Sequence, residues 1–317
     1  MPRTSQWLAP YPLDVLSTLS VHRRGPGDPA FGVDESGAVW RTSLTPEGPA
    51  TIRVTWADGS QAADGSQAAD GAAGTLVSAA AWGPGADWLL GQLPAMLGAA
   101  DDPAGFVPRH PLLRELAARH RGTRVGRTGR VLEALVPAVL EQKVVGMEAR
   151  RAWRLLLTRH GLPAPGPAPA GLRVFPPARA WAAIPSWEWH RAGVEGVRAA
   201  TIAAAARAAG RLEEISQLAA ADADRRLRSL PGVGPWTSAE VRQRACGDAD
   251  AVSIGDYHLP ARVGWALAGR VVDDAGMLEL LAPYAGHRHR AARLIELSGV
   301  APPRRGPRLA VRDYRAF

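Results

Sequence analysis

The stretch Leu230–Pro260, LPGVGPWTSAEVRQRACGDADAVSIGDYHLP, sets a glycine-punctuated turn, a helix with a single Trp and an isolated Asp at fixed intervals in a basic chain. A helix through Arg225–Leu230 ends at PGVG, and Pro235 falls at the first position of the next helix, where its missing N–H is no loss. The result is helix, tight hairpin, helix. Gly232 and Gly234 permit positive φ and a close backbone approach, and the free N–H groups opening the second helix can hold a phosphate oxygen. An ordinary helix–helix turn carries the same signature. Twenty-two residues beyond Gly234 stands Asp256, within SIGDYHLP. Alone, it reads as the N-cap of a helix through Leu259, with Pro260 in its first turn.

The charge is unevenly placed. The chain has 38 Lys and Arg against 30 Asp and Glu, a net of +8, yet residues 1–105 hold five Arg against eleven acids, a net of −6. The remainder therefore carries +14 and is the expected anion-binding part. Lys143 is the only lysine. Cys246 is the only cysteine, which excludes an internal disulfide, a Cys-ligated zinc and a four-Cys cluster, and it reads as a small core residue. The start, MPRTSQWLAPYP, has no apolar run to act as a signal, and no stretch has the uncharged length to span a bilayer. A cytoplasmic, nucleoid-associated protein is expected, with no membrane partner.

A length of 317 residues with 46% hydrophobic content suits two domains. In residues 1–105, AVWRTSL (38–44) and ATIRVTW (50–56) alternate like strands, and a helical run covers Asp87–Leu97, predicting an α+β domain with a small antiparallel sheet. A duplicated hexapeptide makes residues 58–74 a low-complexity loop of no assigned function. Residues 106–317 are predicted to be an all-helical domain, making the protein mainly α. VLEALVPAVLEQKV places Val131, Leu132, Leu135, Val136, Val139 and Leu140 on one face, and a second helix follows Gly146. Residues 161–179 are Pro- and Gly-rich and read as a connection. Further helices are expected at 197–209, 223–230, 236–246, 259–268, 277–282 and 287–297.

The hairpin and the Asp at this interval together resemble the helix-hairpin-helix DNA glycosylases. Leu132–Leu156, LEALVPAVLEQKVVGMEARRAWRLL, is similar to that family's helix pair around an LGQQVS-like core, here LEQKVV. Pro283–Leu297, PYAGHRHRAARLIEL, resembles its closing helix, which begins with a Pro–aromatic pair. PYPLDVLSTL (10–19) and the sheet-plus-helix pattern are similar to the first domain of the DNA-3-methyladenine glycosylase II group. The resemblance spans nearly the whole chain, more weakly at its start.

This resemblance implies a monofunctional glycosylase that flips alkylated purines out of double-stranded DNA and hydrolyses the N-glycosidic bond with Asp256, in base excision repair, as a monomer. A buried carboxylate suits that reaction because cleavage builds positive charge at the anomeric carbon. It further implies that Gly232, Val233, Gly234 and Thr237 grip the DNA backbone, with a K⁺ or Na⁺ ion at the hairpin carbonyls; no catalytic cofactor or metal is expected. Trp236 stands where bifunctional members carry a Schiff-base lysine. Trp236, Tyr257 and Tyr284 occupy base-binding positions, and Glu240 stands where the group has a Tyr, leaving the preferred base open. Gln142 and Lys143 occupy the wedge turn, although either could instead cap a helix or touch phosphate. His258, His287 and His289 lack metal-ligand spacing and read as surface or DNA-contacting residues. Arg304, Arg305 and Arg308 could reach phosphates or form a solvated terminus. A non-catalytic DNA-binding protein that reuses the hairpin is the alternative; a carboxylate facing DNA would only weaken its binding. A lyase or nuclease is disfavoured by the missing lysine and metal ligands.

Overall fold

The computed structural model describes residues 1–58 and 74–303. The repeat, residues 59–73, and the tail arginines 304, 305 and 308 lie outside the described residues. The chain opens with β1 (Arg3–Ala9), α1 (Val15–Leu19), β2 (Phe31–Val33), β3 (Val39–Thr45), β4 (Gly48–Asp58), β5 (Thr75–Trp82) and α2 (Ala86–Met96). The five strands form one antiparallel sheet in the order β1-β5-β4-β3-β2. β5 alternates buried and half-buried residues, and Val77, Ala79 and Ala81 join the core with Leu89, Leu90 and Leu93 of α2. Small residues on that face let the helix lie close to the sheet.

Helices follow: α3 (Pro111–Arg119), α4 (Val131–Leu140), α5 (Gly146–His160), then β6 (Leu162–Pro163) and β7 (Arg173–Val174), a two-residue antiparallel pair inside the Pro- and Gly-rich connection. The rest comprises α6 (Ala178–Ala183), α7 (Ser186–Arg191), α8 (Gly196–Arg207), α9 (Ala209–Glu213), α10 (Ala220–Arg228), α11 (Pro235–Val241), α12 (Leu259–Ala268), α13 (Asp274–Leu281) and α14 (Arg288–Ser298). The described residues are mainly helical with a small five-stranded antiparallel sheet, as expected, and the short β6–β7 pair besides.

These helices bury two separate cores. One runs from Val131 to Ala245 and centres on α4, whose six predicted core positions are all buried. The other joins Leu113 and Leu116 of α3 to α12, α13 and α14. α3 thus lies far in sequence from the helices it packs on, and the segment between the two cores, residues 246–258, carries Asp256.

The sheet is joined to the helices by buried ions. Glu133, in the first turn of α4, accepts hydrogen bonds from Ser43 Oγ (2.9 Å), the Leu44 N–H (2.6 Å) and Arg41 Nη2 (3.3 Å). Only 9% of the Glu133 side chain and 8% of that of Arg41 remain exposed. Arg24 reaches Glu141, at the other end of α4, at 3.1 Å. β3 is therefore buried on both faces, with Trp40, Arg41, Thr42 and Ser43 all enclosed.

Removing one member of a buried, hydrogen-bonded ion pair leaves the other charge stranded and costs about 3–5 kcal/mol. Glu133→Ala should lose stability of that order in urea denaturation. A variant that unfolds at the wild-type midpoint would show that the sheet does not depend on this contact.

Candidate active site

The hairpin forms where the sequence places it. α10 ends at Arg228, the N–H of Val233 closes the turn on the Leu230 carbonyl (3.1 Å), and α11 starts at Pro235. Gly232 has φ +84°, and a Cβ there would come within 2.1 Å of Thr201 Oγ1, so both conformation and space demand glycine. Gly234 differs from expectation. It is extended, with φ −93° and ψ −176°, and a Cβ would meet nothing within 4 Å. Its value to the turn is therefore not positive φ; the position is simply open on its outer side. Val233 and Thr237 bury their side chains, so only their backbone could meet a ligand.

Gln142 does not project from the turn after α4. Its amide donates to the Gly232 carbonyl (2.9 Å) and to Thr237 Oγ1 (2.8 Å), bracing the hairpin from beneath and leaving no free N–H for a wedge. Lys143 is exposed at the tip of the same turn with φ +54°, the only non-glycine with positive φ among the described residues. Such strained backbone persists only where the surroundings hold it.

Asp256 is held by three donors. Its Oδ1 accepts the N–H groups of His258 and Leu259, both at 2.8 Å; the N-cap position of α12 belongs to His258, so Asp256 stands two residues ahead of the cap expected of it and secures the first N–H of the helix from there. Its Oδ2 accepts the indole N–H of Trp236 at 3.0 Å, joining the helix after the hairpin to the segment between the two cores. Oδ2 keeps a lone pair that Trp236 does not use. One carboxylate thus ties the start of α12 to the helix after the hairpin. Trp236 also packs against the α4 core.

Both residues line a cleft of about 230 Å³ where α11, α14 and residues 123–126 converge. Glu240 lines it too, but its carboxylate is committed. Oε1 accepts from Ser253 Oγ at 2.6 Å, and Oε2 pairs with Arg244 at 2.8 Å. Both oxygens are thus engaged within the cleft wall. Beyond Val241 the helix widens into a π turn, Arg242–Cys246. This turn aims Gln243 at the Ala251 carbonyl (2.8 Å) and Ser253 Oγ (3.0 Å), fixing the loop that leads to Asp256. Gln243, Arg244 and Ser253 escaped sequence reading, because their convergence depends on that extra residue in the turn. Cys246 packs on the core, and burial pushes its thiol up to about 11, so it is no nucleophile at neutral pH.

The two tyrosines lie elsewhere. Tyr284 is only 5% exposed; it packs on Phe106, and its hydroxyl accepts the His110 N–H at 3.1 Å. It belongs to the second core and does not line the cleft. Tyr257 is 78% exposed, edge-on to the exposed His258, and is not a cleft residue either. His287 packs edge-on against Phe106. His289, by contrast, lines the cleft, and so does Glu296, a carboxylate that the sequence did not single out. Burial raises the proton affinity of Glu296; Arg293 opposes this shift and Glu240 adds to it.

No protein-family model and no curated protein matches the sequence. Solved structures do. The chain is similar to a 3-methyladenine DNA-glycosylase from Archaeoglobus fulgidus, with a TM-score of 0.71 and 16% identity over 93% of this chain and 98% of that one. The chain has the fold of the helix-hairpin-helix DNA glycosylases. It is also similar to the Clostridium acetobutylicum 8-oxoguanine glycosylase/lyase, solved with double-stranded DNA containing cytosine opposite 8-oxoguanine, at a TM-score of 0.65 and 11% identity over 94% and 98% of the two chains.

Burial pushes His289 down to about 3, and Arg244, Arg293 and Arg290 add to the shift. The folded chain keeps this imidazole neutral, whereas the unfolded chain protonates it near its ordinary value of 6.5. Between those values the unfolded state binds the extra proton, so stability falls as pH drops through that window. His289→Gln should flatten this part of the stability–pH curve, measured by urea denaturation from pH 7 to 4. A curve parallel to wild type would contradict the burial of a neutral imidazole.

Proposed function

We propose that this chain is a monofunctional DNA glycosylase that removes alkylated purines from double-stranded DNA. The reading rests on one observation: a carboxylate fixed by three N–H donors stands in a cleft beside Trp236, directly after a hairpin open to solvent at Gly234. Leaving of the base builds positive charge on the sugar, and the fixed Asp256 charge stabilises it without reorganising. The lone pair left on Oδ2 can accept a proton from the water that attacks the anomeric carbon. An alkylated purine is already cationic and leaves as a neutral base, so no general acid is required. The indole face of Trp236 suits such a base by cation–π attraction.

The outward backbone of Gly232 and Gly234 is suited to phosphate, a contact that carries no sequence information. Lys143, held at the tip of its turn, is placed to enter the stack vacated by the flipped base or to meet phosphate. Tyr257 stands at the surface next to Asp256, where it would meet DNA rather than the base. A K⁺ or Na⁺ ion at the hairpin is compatible with the carbonyls of Leu230 and Gly232, which each accept one hydrogen bond and keep a second lone pair. It would add positive charge near phosphate, and base release does not pass through it. The likeness to structures of DNA glycosylases supports this reading.

Asp256→Asn should lower single-turnover base release from methylated duplex DNA by at least about 100-fold. DNA affinity should hold or rise, since a charge that repels phosphate is removed. The substitution keeps an oxygen for the first N–H of α12, and circular dichroism establishes that the variant is folded. Excision at the wild-type rate would remove Asp256 from the chemistry; a variant that no longer binds DNA would make it a structural residue.

Borohydride should trap no covalent complex with abasic or lesion-bearing DNA, because Lys143 is the only lysine and does not line the cleft. Efficient trapping that disappears in Lys143→Ala would make the enzyme a lyase.

A further inference from the structure

The three donors on Asp256 hold its carboxylate, and a separate set of contacts holds the backbone from which it projects. Two of those donors lie two and three residues further along the same chain, so they fix the side chain against its own segment. The segment is fixed from outside. On one side Ser253 is tied to Glu240 of α11 and to Gln243 of the π turn. On the other, the Gly255 N–H donates to both carboxylate oxygens of Asp274, each at 3.1 Å. Asp274 is the first residue of α13, and its own place is set by packing. Val272, between α12 and α13, fills the space beside two glycines: a Cβ on Gly264 would come within 2.7 Å of it and one on Gly276 within 2.9 Å. Asp273 then caps α13 through the Gly276 N–H at 2.9 Å. A tightly packed connection therefore delivers one carboxylate to the residue before Asp256.

We infer that Asp274 is a positioning residue for Asp256, acting through the Gly255 N–H. The inference deepens the glycosylase reading above and rests on it. The Asp256 N–H closes a turn on the Ser253 carbonyl at 3.2 Å, with Ile254 and Gly255 at its centre. Gly255 has φ +89° and Ile254 is not among the residues with positive φ, which makes this a type II turn. A half-turn of the central peptide would convert it to type I and reverse the sign of φ at Gly255, the residue through which the chain enters Asp256. That rotation would also put the Ile254 carbonyl where the Gly255 N–H now meets the Asp274 carboxylate. Attraction for the N–H and repulsion of the carbonyl both favour the observed form, and a hydrogen bond to a charged group is the stronger kind. Asp274 thus selects the turn, and the turn sets the direction from which Asp256 faces the cleft. Stabilising positive charge on the sugar requires a carboxylate that does not reorganise as that charge develops. Asp274 does not line the cleft, so its effect passes through Gly255.

The test combines single-turnover base release from methylated duplex DNA at saturating protein, affinity for a duplex with a stable abasic analogue, urea denaturation, and amide hydrogen exchange across residues 253–259. Asp274→Ala should lower the release rate by about tenfold, the population shift that one hydrogen bond to a charged acceptor can hold, with DNA affinity unchanged or higher. Asp274→Asn, whose amide oxygen can accept the Gly255 N–H, should restore the rate to within about twofold of wild type. Asp273→Ala, which removes the α13 cap and leaves the Gly255 contact, should lower the urea midpoint with the release rate near wild type. A wild-type rate in Asp274→Ala overturns the inference. So does an Asp274→Asn as slow as Asp274→Ala, which would make the effect one of charge, or an equally slow Asp273→Ala, which would make it one of helix stability. Exchange separates the inference from the reading beneath it. Asp274→Ala should exchange faster than wild type at residues 253–259, and unchanged exchange there overturns the anchor whatever the enzyme does. Wild-type protein that releases no base overturns the glycosylase reading, and with it a catalytic purpose for the anchor, while faster exchange would still support the anchor itself.

Discussion

The geometry of the cleft depends on an ionised side chain buried where a hydrophobic one would be expected. Glu133 sits in the first turn of α4 with its side chain 9% exposed, held between that helix and β3. A carboxylate there is tolerable only because Ser43, Leu44 and Arg41 supply donors in matching directions. Those directions are specific, so the sheet can meet α4 in one orientation only. α4 in turn packs on α11, and α11 carries Trp236 and Glu240. Electrostatic matching at the contact between β3 and α4 thus bears on where Trp236 sits, a use of buried polarity for specificity rather than for net stability.

The local features of this chain were legible and the convergent ones were not. PGVG and Pro235 announce a hairpin because glycine and proline act through their own backbone, and the periodicity of 131–144 announces α4 because burial of one face needs no knowledge of the partner. β5 escaped notice because TLVSAAAW is rich in Ala, a helix-forming residue; only its place beneath α2 favours small side chains there. β1 is largely exposed, and its alternation is weak. Tyr284 illustrates a different failure. The Pro–aromatic pair was correctly located ahead of the closing helix, yet the rotation of that segment is set by packing on Phe106 and His110, which sequence order does not reveal. Gln142 was placed in the wedge turn, and its contact with the hairpin, through Gly232 and Thr237, was not foreseen. Gly234 was read for positive φ and for close backbone approach; its extended backbone removes the first reason, and the open space beside it agrees with the second.

The cleft wall is unusually polar for a site proposed to hold a flat, largely apolar ring. Arg244, Glu240, Ser253 and Gln243 form one connected chain of hydrogen bonds, from the π turn to the loop ahead of Asp256. Each member satisfies the next, so the chain contributes rigidity without exposing a free charge to the substrate.

The solitary lysine has a practical consequence. Every other basic side chain is a guanidinium, which stays protonated and resists acylation under conditions where a primary amine reacts. Lys143 is exposed at the tip of the turn between α4 and α5. An amine-directed fluorophore would consequently attach to one side chain besides the N-terminal amine, at the tip of that turn, and would report on its surroundings without a single engineered residue.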